Sequence, residues 1–201
     1  QYVHTFDKCL FMPSDLTAGL EYNRDRLKDN MWGYDRHTDQ TVNIYSAFLQ
    51  NEWKNERWSI LVGGRLDKHN MVDNIIFSPR ANLRFNPTQN INLRLSYSSG
   101  FRAPQAFDED MHIENVGGTV AMIERTKNLK EEKSQSFSAS ADIYHRFGAF
   151  QTNFLIEGFY TKLTDVFVLG EPYNRGDGVL VKLRSNGPGA KVVGVTLEGK
   201  L

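Results

Sequence analysis

Apolar and polar residues alternate with a period of two through most of this chain, and no other feature constrains its fold as strongly. Between Trp58 and Asp67, the positions of Trp58, Ile60, Val62 and Leu66 are apolar, whereas those between them are mostly small or charged. Successive side chains of a β-strand point to opposite faces, so each such segment has one apolar and one polar face. The sequence therefore predicts an all-β fold of about nine or ten strands.

The predicted links between strands fall into two length classes that alternate along the chain. Short links are predicted at residues 54–57, 86–90, 146–149 and 186–190, and long links at residues 24–40, 68–75, 101–131 and 164–177. Short turns at one end and long loops at the other are typical of outer-membrane β-barrels, whereas Greek-key connections in a soluble sandwich would break this order. We therefore predict an antiparallel up-and-down meander that forms part of a larger membrane barrel.

The two faces of the predicted strands differ in chemistry. The face expected to contact lipid includes Leu49, Ile60, Val62, Leu83, Leu95 and Ala139. The opposite face includes Arg65, Arg80, Arg84, Arg94, Asp67, Glu52 and Asp142. We expect the second set to form ion pairs inside a water-filled barrel, because lumenal residues of such barrels are polar.

Composition excludes several classes of protein. Lys and Arg together number 24, as do Asp and Glu, so net charge does not indicate a nucleic-acid partner. No apolar run is long enough for a transmembrane helix, although barrel strands need no such run. The single Cys9 cannot form an intrachain disulfide, and the five histidines lack metal-ligand spacing. No Gly-x-Ser-x-Gly motif is present. We predict no catalytic residue, no enzyme activity, no metal and no cofactor.

The segment from Gly100 to Pro104 predicts an abrupt strand end. Gly100 permits unusual backbone angles, and Pro104 lacks an amide donor and restrains Ala103 to an extended conformation. Phe101 and Arg102 are expected at the rim of the sheet. Arg102 could bind carboxylates or backbone carbonyls there.

Several short segments resemble TonB-dependent outer-membrane receptors. Gly100-Phe101-Arg102-Ala103-Pro104 resembles a segment that ends a barrel strand at their extracellular side, and Phe77-Ser78-Pro79-Arg80 resembles a strand opening. Residues 128–134 resemble Asn-Leu-Lys-Pro-Glu-Lys-Ser, with Glu131 in place of the proline. The resemblances span residues 42–201 in the order expected for the family.

This resemblance implies a barrel of about 22 strands closed by an N-terminal plug. It also implies location in the outer membrane of a Gram-negative bacterium and uptake of a ferric siderophore, haem, cobalamin or glycan, driven by the TonB complex through the plug. We find no plug, TonB box or C-terminal aromatic strand, so residues 1–201 are expected to be a partial barrel domain. Alone, such a fragment should self-associate through its strand edges and apolar face.

Two predicted loops carry candidate ligand-binding residues. The first candidate set is Asp108, Glu109, Asp110, His112 and Glu114, and the second is Tyr173, Arg175 and Asp177. Carboxylates could contact a ligand or a hard cation, although such clusters also occur in ordinary solvated loops. In the first long link, Trp32 and Tyr34 could stack on a ligand ring or anchor the membrane interface.

Two other functions remain open from the sequence. A soluble antiparallel β module, for example one that binds carbohydrate, would favour short turns at both ends of its strands. An outer-membrane barrel enzyme such as a lipase would need a Ser/His pair on one strand face near the rim, and no such pair can be assigned. The segregated link lengths favour the uptake receptor.

Overall fold

A computed structural model describes residues 1–106, 114–116, 119–148, 150–176 and 178–201, with the side chains of residues 34, 114–116, 119 and 120 left out. Nine of its strands form one sheet: β1 (Tyr2–Cys9), β2 (Met12–Met31), β3 (Arg36–Lys54), β4 (Trp58–His69), β5 (Ile76–Thr88), β6 (Ile91–Arg102), β9 (Glu132–Phe147), β10 (Phe150–Thr164) and β14 (Ala190–Lys200). These strands pair in that order, and every pair is antiparallel. The predicted all-β antiparallel meander is confirmed.

The remaining strands form a second, smaller sheet within the two longest connections. They are β7 (Glu114–Val116), β8 (Thr119–Arg125), β11 (Phe167–Leu169), β12 (Tyr173–Asn174) and β13 (Leu180–Asn186). The sheet order is β11-β13-β8-β7, β12 pairs with β13, and β8 and β13 run parallel. Ala121, Met122 and Val181 are almost fully buried in it. Strands β7, β8, β11 and β12 lie in segments that the sequence predicts as loops. Short strands of this kind leave little local periodicity in the sequence, because they pair with distant segments.

The prediction of a short turn at residues 186–190 is wrong. β14 pairs with β10, so the link between consecutive strands of the main sheet spans residues 165–189 and belongs to the long class. The segment Asn186–Gly189 instead leads the chain from one sheet to the other. Asn186 Nδ2 donates to the carbonyls of Lys130 and Asp165, at 3.1 and 2.7 Å. With this correction, the links of the main sheet alternate between short and longer ones from β3 onward.

The prediction of a long loop at residues 24–40 is also wrong. β2 continues to Met31 and β3 begins at Arg36, with only a 3₁₀ turn at Trp32–Tyr34 and one further residue between them. Arg26 and Asp39 face each other in this hairpin, where Nε and Nη2 of the arginine donate to the two carboxylate oxygens at 3.1 and 2.8 Å. Both faces here are polar, so the period-two signal disappears although the backbone ladder continues.

The strand register confirms both predicted faces of the main sheet. Ile60 pairs with Leu83, Leu83 with Leu95, and Leu95 with Ala139, which places these side chains on one face. Leu49 and Val62 lie on the same face and are 56% and 51% exposed. The described residues of the chain therefore leave the predicted apolar face uncovered. Among the described helical residues, none belongs to a helix long and apolar enough to cross a membrane.

The opposite face carries the predicted network of charged and polar groups. Arg65 donates to Asp67 (2.8 Å), Glu21 (2.9 Å) and the hydroxyl of Ser46 (2.7 Å). Arg94 lies 3.5 Å from Asp142. Polar residues that form hydrogen bonds and ion pairs with one another in this way are expected on the inner wall of a water-filled barrel.

Aromatic pairs mark both ends of the apolar face. At the end with short turns, Trp58 stacks on Phe85, with 4.1 Å between ring centres. At the end with long connections, Tyr22 stacks on Tyr45 at 4.8 Å. Paired aromatic rows at the two edges of an apolar band are a property of membrane barrels, since these rings favour the interface between hydrocarbon and water.

Candidate functional site

The segment Gly100–Pro104 ends β6 as predicted, because the strand stops at Arg102. Phe101 packs on a small buried cluster formed by Val72, Ile76 and Ala103. Gly100 does not use a left-handed conformation, although glycine would permit one. A Cβ at this position would lie 3.3 Å from Ser134 Oγ, so the glycine instead permits close approach of β6 and β9.

Arg102 lies at the rim, also as predicted. Its guanidinium carbon is 5.7 Å from the centre of the Phe167 ring, within range of a cation–π interaction. The backbone N–H of Phe167 donates to Glu132 at 3.0 Å. Through Phe167, these contacts hold the beginning of the second long connection against both ends of the first, at Arg102 and Glu132.

Hydrogen bonds join β3, the end of β4 and the segment after β6 near the buried His69. The backbone N–H of Met71 donates to His69 Nδ1 at 3.0 Å, which leaves Nε2 as the donor toward Gln105 Oε1 at 3.4 Å. The backbone N–H of Ala106 donates to Gln40 Oε1 at 2.8 Å. Because these groups come from β3, β4 and the segment after β6, they hold the long connections in one arrangement.

The long connections enclose an open cavity of about 630 Å³. Its walls come from the tip of the β2–β3 hairpin, the segment after β6, the end of β8 and the loop after β12. The charged residues of the lining are Asp35, Arg36, His37, Glu124, Arg125, Lys127 and Arg175. Among these described lining residues basic groups outnumber acidic ones, so this part of the cavity wall favours anions.

The lining residues are partly held by one another. Arg175 Nη1 donates to Glu124 Oε1 at 3.2 Å, and His37 Nε2 lies 3.4 Å from Asp35 Oδ1. Arg125 Nη1 donates to the carbonyl of Pro104 at 2.9 Å, which fixes the cavity wall to the strand end described above.

Beyond the aromatic end of the apolar face, Arg26 holds the pKa of the Asp39 carboxyl below its ordinary value, mainly through their hydrogen bonds.

The structure describes only some of the predicted site residues. Arg175 lines the cavity, and Tyr173 lies in β12, paired with Val181. Glu114 begins β7, where its backbone pairs with that of Ala121. The other candidates, Asp108, Glu109, Asp110, His112 and Asp177, lie outside the described residues. Of the two aromatic candidates, Trp32 is 80% exposed and meets the His37 ring edge-on at 5.0 Å.

Four basic residues of the cavity were not predicted from the sequence. They are Arg36, His37, Arg125 and Lys127. All four lie in segments that were predicted as loops, and two short basic clusters are the only local signal they give. Their convergence depends on the parallel pairing of β8 with β13, which no local pattern indicates. In the part of the chain that the structure describes, His, Cys, Asp and Glu do not form a group of three suited to a metal ion.

Similar structures include siderophore receptors and an iron transporter, by their names. The siderophore receptor PirA from Pseudomonas aeruginosa superimposes with a TM-score of 0.79 at 18% identity, over 97% of this chain and 37% of that one. An enterobactin-bound variant of the ferric enterobactin receptor PfeA from the same species gives 0.75 at 18%, over 97% and 32%. The FrpB iron transporter from Neisseria meningitidis gives 0.67 at 16%, over 97% and 31%. This chain thus spans roughly a third of each receptor's length. No curated protein matches it.

At such low sequence identities, the similar structures establish only the fold of this chain. That fold agrees with the antiparallel meander and its long connections at one end. The sequence model of a family described as TonB dependent receptor-like, beta-barrel, matches residues 2–201. That family consists of receptors and transporters of the Gram-negative outer membrane, and it is not a family of enzymes. The chain belongs to the TonB-dependent receptor β-barrel family.

Proposed function

We propose that this chain is part of the barrel of an outer-membrane receptor that takes up an iron(III)–siderophore complex. Residues 1–201 would supply nine consecutive barrel strands, and the remaining strands, the plug and the contact with the TonB complex would come from other parts of the receptor. The observation that carries the proposal is the basic cavity among the long connections, in a chain of this family. The names of the similar structures support iron as the cargo.

The geometry suits capture of an anionic chelate from the external medium. An excess of positive charge in a recessed site raises the local concentration of an anion and steers its approach. The exposed Trp32 ring beside the cavity offers apolar contact to an aromatic or flat ligand. We further propose that Asp108, Glu109, Asp110, His112 and Glu114, with Tyr173, contact the same ligand, since polar groups beside apolar residues can orient it.

The exposed apolar face argues against a soluble antiparallel β module. In a soluble sandwich this face would be covered by a second sheet, whereas here Leu20, Leu49 and Leu95 are 84%, 56% and 55% exposed. The smaller sheet lies within the long connections and leaves this face open. A membrane-facing wall explains both facts.

The test is a charge-removing variant in the complete receptor. Arg36→Gln combined with Lys127→Gln removes two positive charges from the cavity, and Lys28→Gln combined with Lys130→Gln removes two exposed lysine charges elsewhere. Equilibrium binding of ferric enterobactin, as a probe, is measured beside receptor abundance at the cell surface. We expect about tenfold weaker binding for each cavity charge removed and no change in the control. Equal affinity of both variants at normal abundance would reject the cavity as the ligand site.

A further inference from the structure

Two lysines face each other directly on the outer side of the main sheet. Lys162 of β10 is the register partner of Lys191 of β14, and both side chains are exposed. Like charges directly opposite each other destabilise a strand pair. Within the described part of the chain, neither lysine has an ion pair. A charge arrangement of this kind favours a bound anion.

The inner face provides a comparison. There Arg84 and Arg94 are also direct register partners, but Asp142 lies 3.5 Å from Arg94 and offsets the repulsion. The chain thus supplies a carboxylate to the arginine pair on the water-filled side. On the outer side the third lysine of the area, Lys133, is held by Glu131 at 3.0 Å, and the described residues place no carboxylate on Lys162 or Lys191.

The lysine pair lies where the apolar face ends. On β10 the residue before Lys162 on the same face is Tyr160, whose register partners are Phe137 and Val193. The pair is therefore one step beyond the apolar and aromatic edge, toward the long connections. In a barrel, this is the height at which lipid headgroups meet the protein wall.

An open groove of about 450 Å³ adjoins the pair. Phe77, Pro79 and Tyr97 give it an apolar side, and Lys162, Gln135 and the Lys133–Glu131 ion pair give it a polar side. Such a groove matches an amphipathic ligand, with hydrocarbon along the apolar side and an anionic group at the lysines. Lysine stems can lie along apolar surface while their ammonium groups reach a headgroup.

We propose that Lys162 and Lys191 bind the phosphate of a membrane lipid headgroup, with part of an acyl chain in the adjoining groove. This site is separate from the cavity that receives the transported ligand, and it would hold lipid whatever that ligand is. The site lies on the outer wall, where the polar side of the groove is continuous with the apolar face. This position selects lipid over a soluble anion, because a lipid can contact both surfaces at once. The lipid phosphate replaces the missing counter-charge of the lysine pair.

The experiment uses the complete receptor in a neutral detergent. It is titrated with short-chain phosphatidic acid, with phosphatidylcholine of the same chain length, and with inorganic phosphate. A basic residue near a membrane surface contributes about fivefold to the affinity for anionic lipid, so Lys162→Gln with Lys191→Gln should weaken binding of phosphatidic acid about thirtyfold. Lys162→Arg with Lys191→Arg should retain it, and Lys28→Gln with Lys130→Gln should not alter it.

Each outcome is decisive. Tighter binding of phosphatidic acid than of phosphatidylcholine, lost only with the lysine pair, supports the site. Equal affinity of the Lys162→Gln/Lys191→Gln variant and the native receptor overturns it, as does inorganic phosphate that binds as tightly as the lipid. If the glutamine variant fails to assemble, the native receptor still decides the matter, since lack of preference between the two lipids contradicts the proposal.

Discussion

The assignment of one face of the sheet to lipid can be tested at Leu49. Tyr45 and Trp53 bound the apolar face on β3, and Leu49 lies midway between them in sequence. The eight residue steps from Tyr45 to Trp53 rise about 27 Å along the strand, which a tilt of about 40° reduces to about 21 Å, close to the height of the lipid-facing band of such barrels. Leu49 therefore lies near the membrane midplane, where an arginine is most costly.

We expect Leu49→Arg to destabilise the complete receptor by about 2–4 kcal/mol. Half or more of the leucine side chain is exposed, so the arginine would meet lipid rather than other parts of the chain. Thr17→Arg is the matched control. Thr17 pairs with Gln50, the residue after Leu49, and so lies at the same depth on the inner, polar face. Its substitution should cost less than about 0.5 kcal/mol, as for other water-exposed sites.

The assay is urea unfolding of the receptor in phospholipid vesicles, with folded protein followed by gel mobility and tryptophan fluorescence. The difference in unfolding free energy between the two arginine variants is the quantity that decides. A difference below about 1 kcal/mol would refute the lipid-facing assignment, because a midplane arginine cannot avoid that penalty on the lipid side. A larger loss at Thr17 than at Leu49 would reverse the two faces.

Two further predictions concern the isolated chain and the loop after β6. The isolated chain should form oligomers or require detergent, because β1 and β14 are unpaired sheet edges in the described structure and one face of the sheet is apolar. Light scattering that shows a stable monomer in plain buffer would contradict this prediction. Deletion of residues 108–118 from the complete receptor should weaken ligand binding while surface abundance stays near normal, since the end of β6 is fixed by Phe101 and its buried partners; equilibrium binding at unchanged affinity would remove this loop from the site.

The sequence alone determined the main sheet and its two faces. Each strand of the sheet must separate lipid from water over its apolar band, so its side chains alternate and the pattern is visible locally, as between Trp58 and Asp67. The strand end at Gly100–Pro104 was equally readable, because proline and glycine act on the backbone where they stand. The family followed from such local segments in their order along the chain.

Only the tertiary structure decided what happens beyond the apolar band. Where both faces of a strand meet water, as in the β2–β3 hairpin, alternation vanishes and the sequence suggests a loop. The basic cavity depends on β8 and β13, whose partners Arg125 and Arg184 are far apart in the chain. The Lys162–Lys191 pair depends on the register of β10 with β14, two strands that are separated in the chain by residues 165–189. Contacts of this kind are set by three-dimensional pairing, and the local sequence does not encode them.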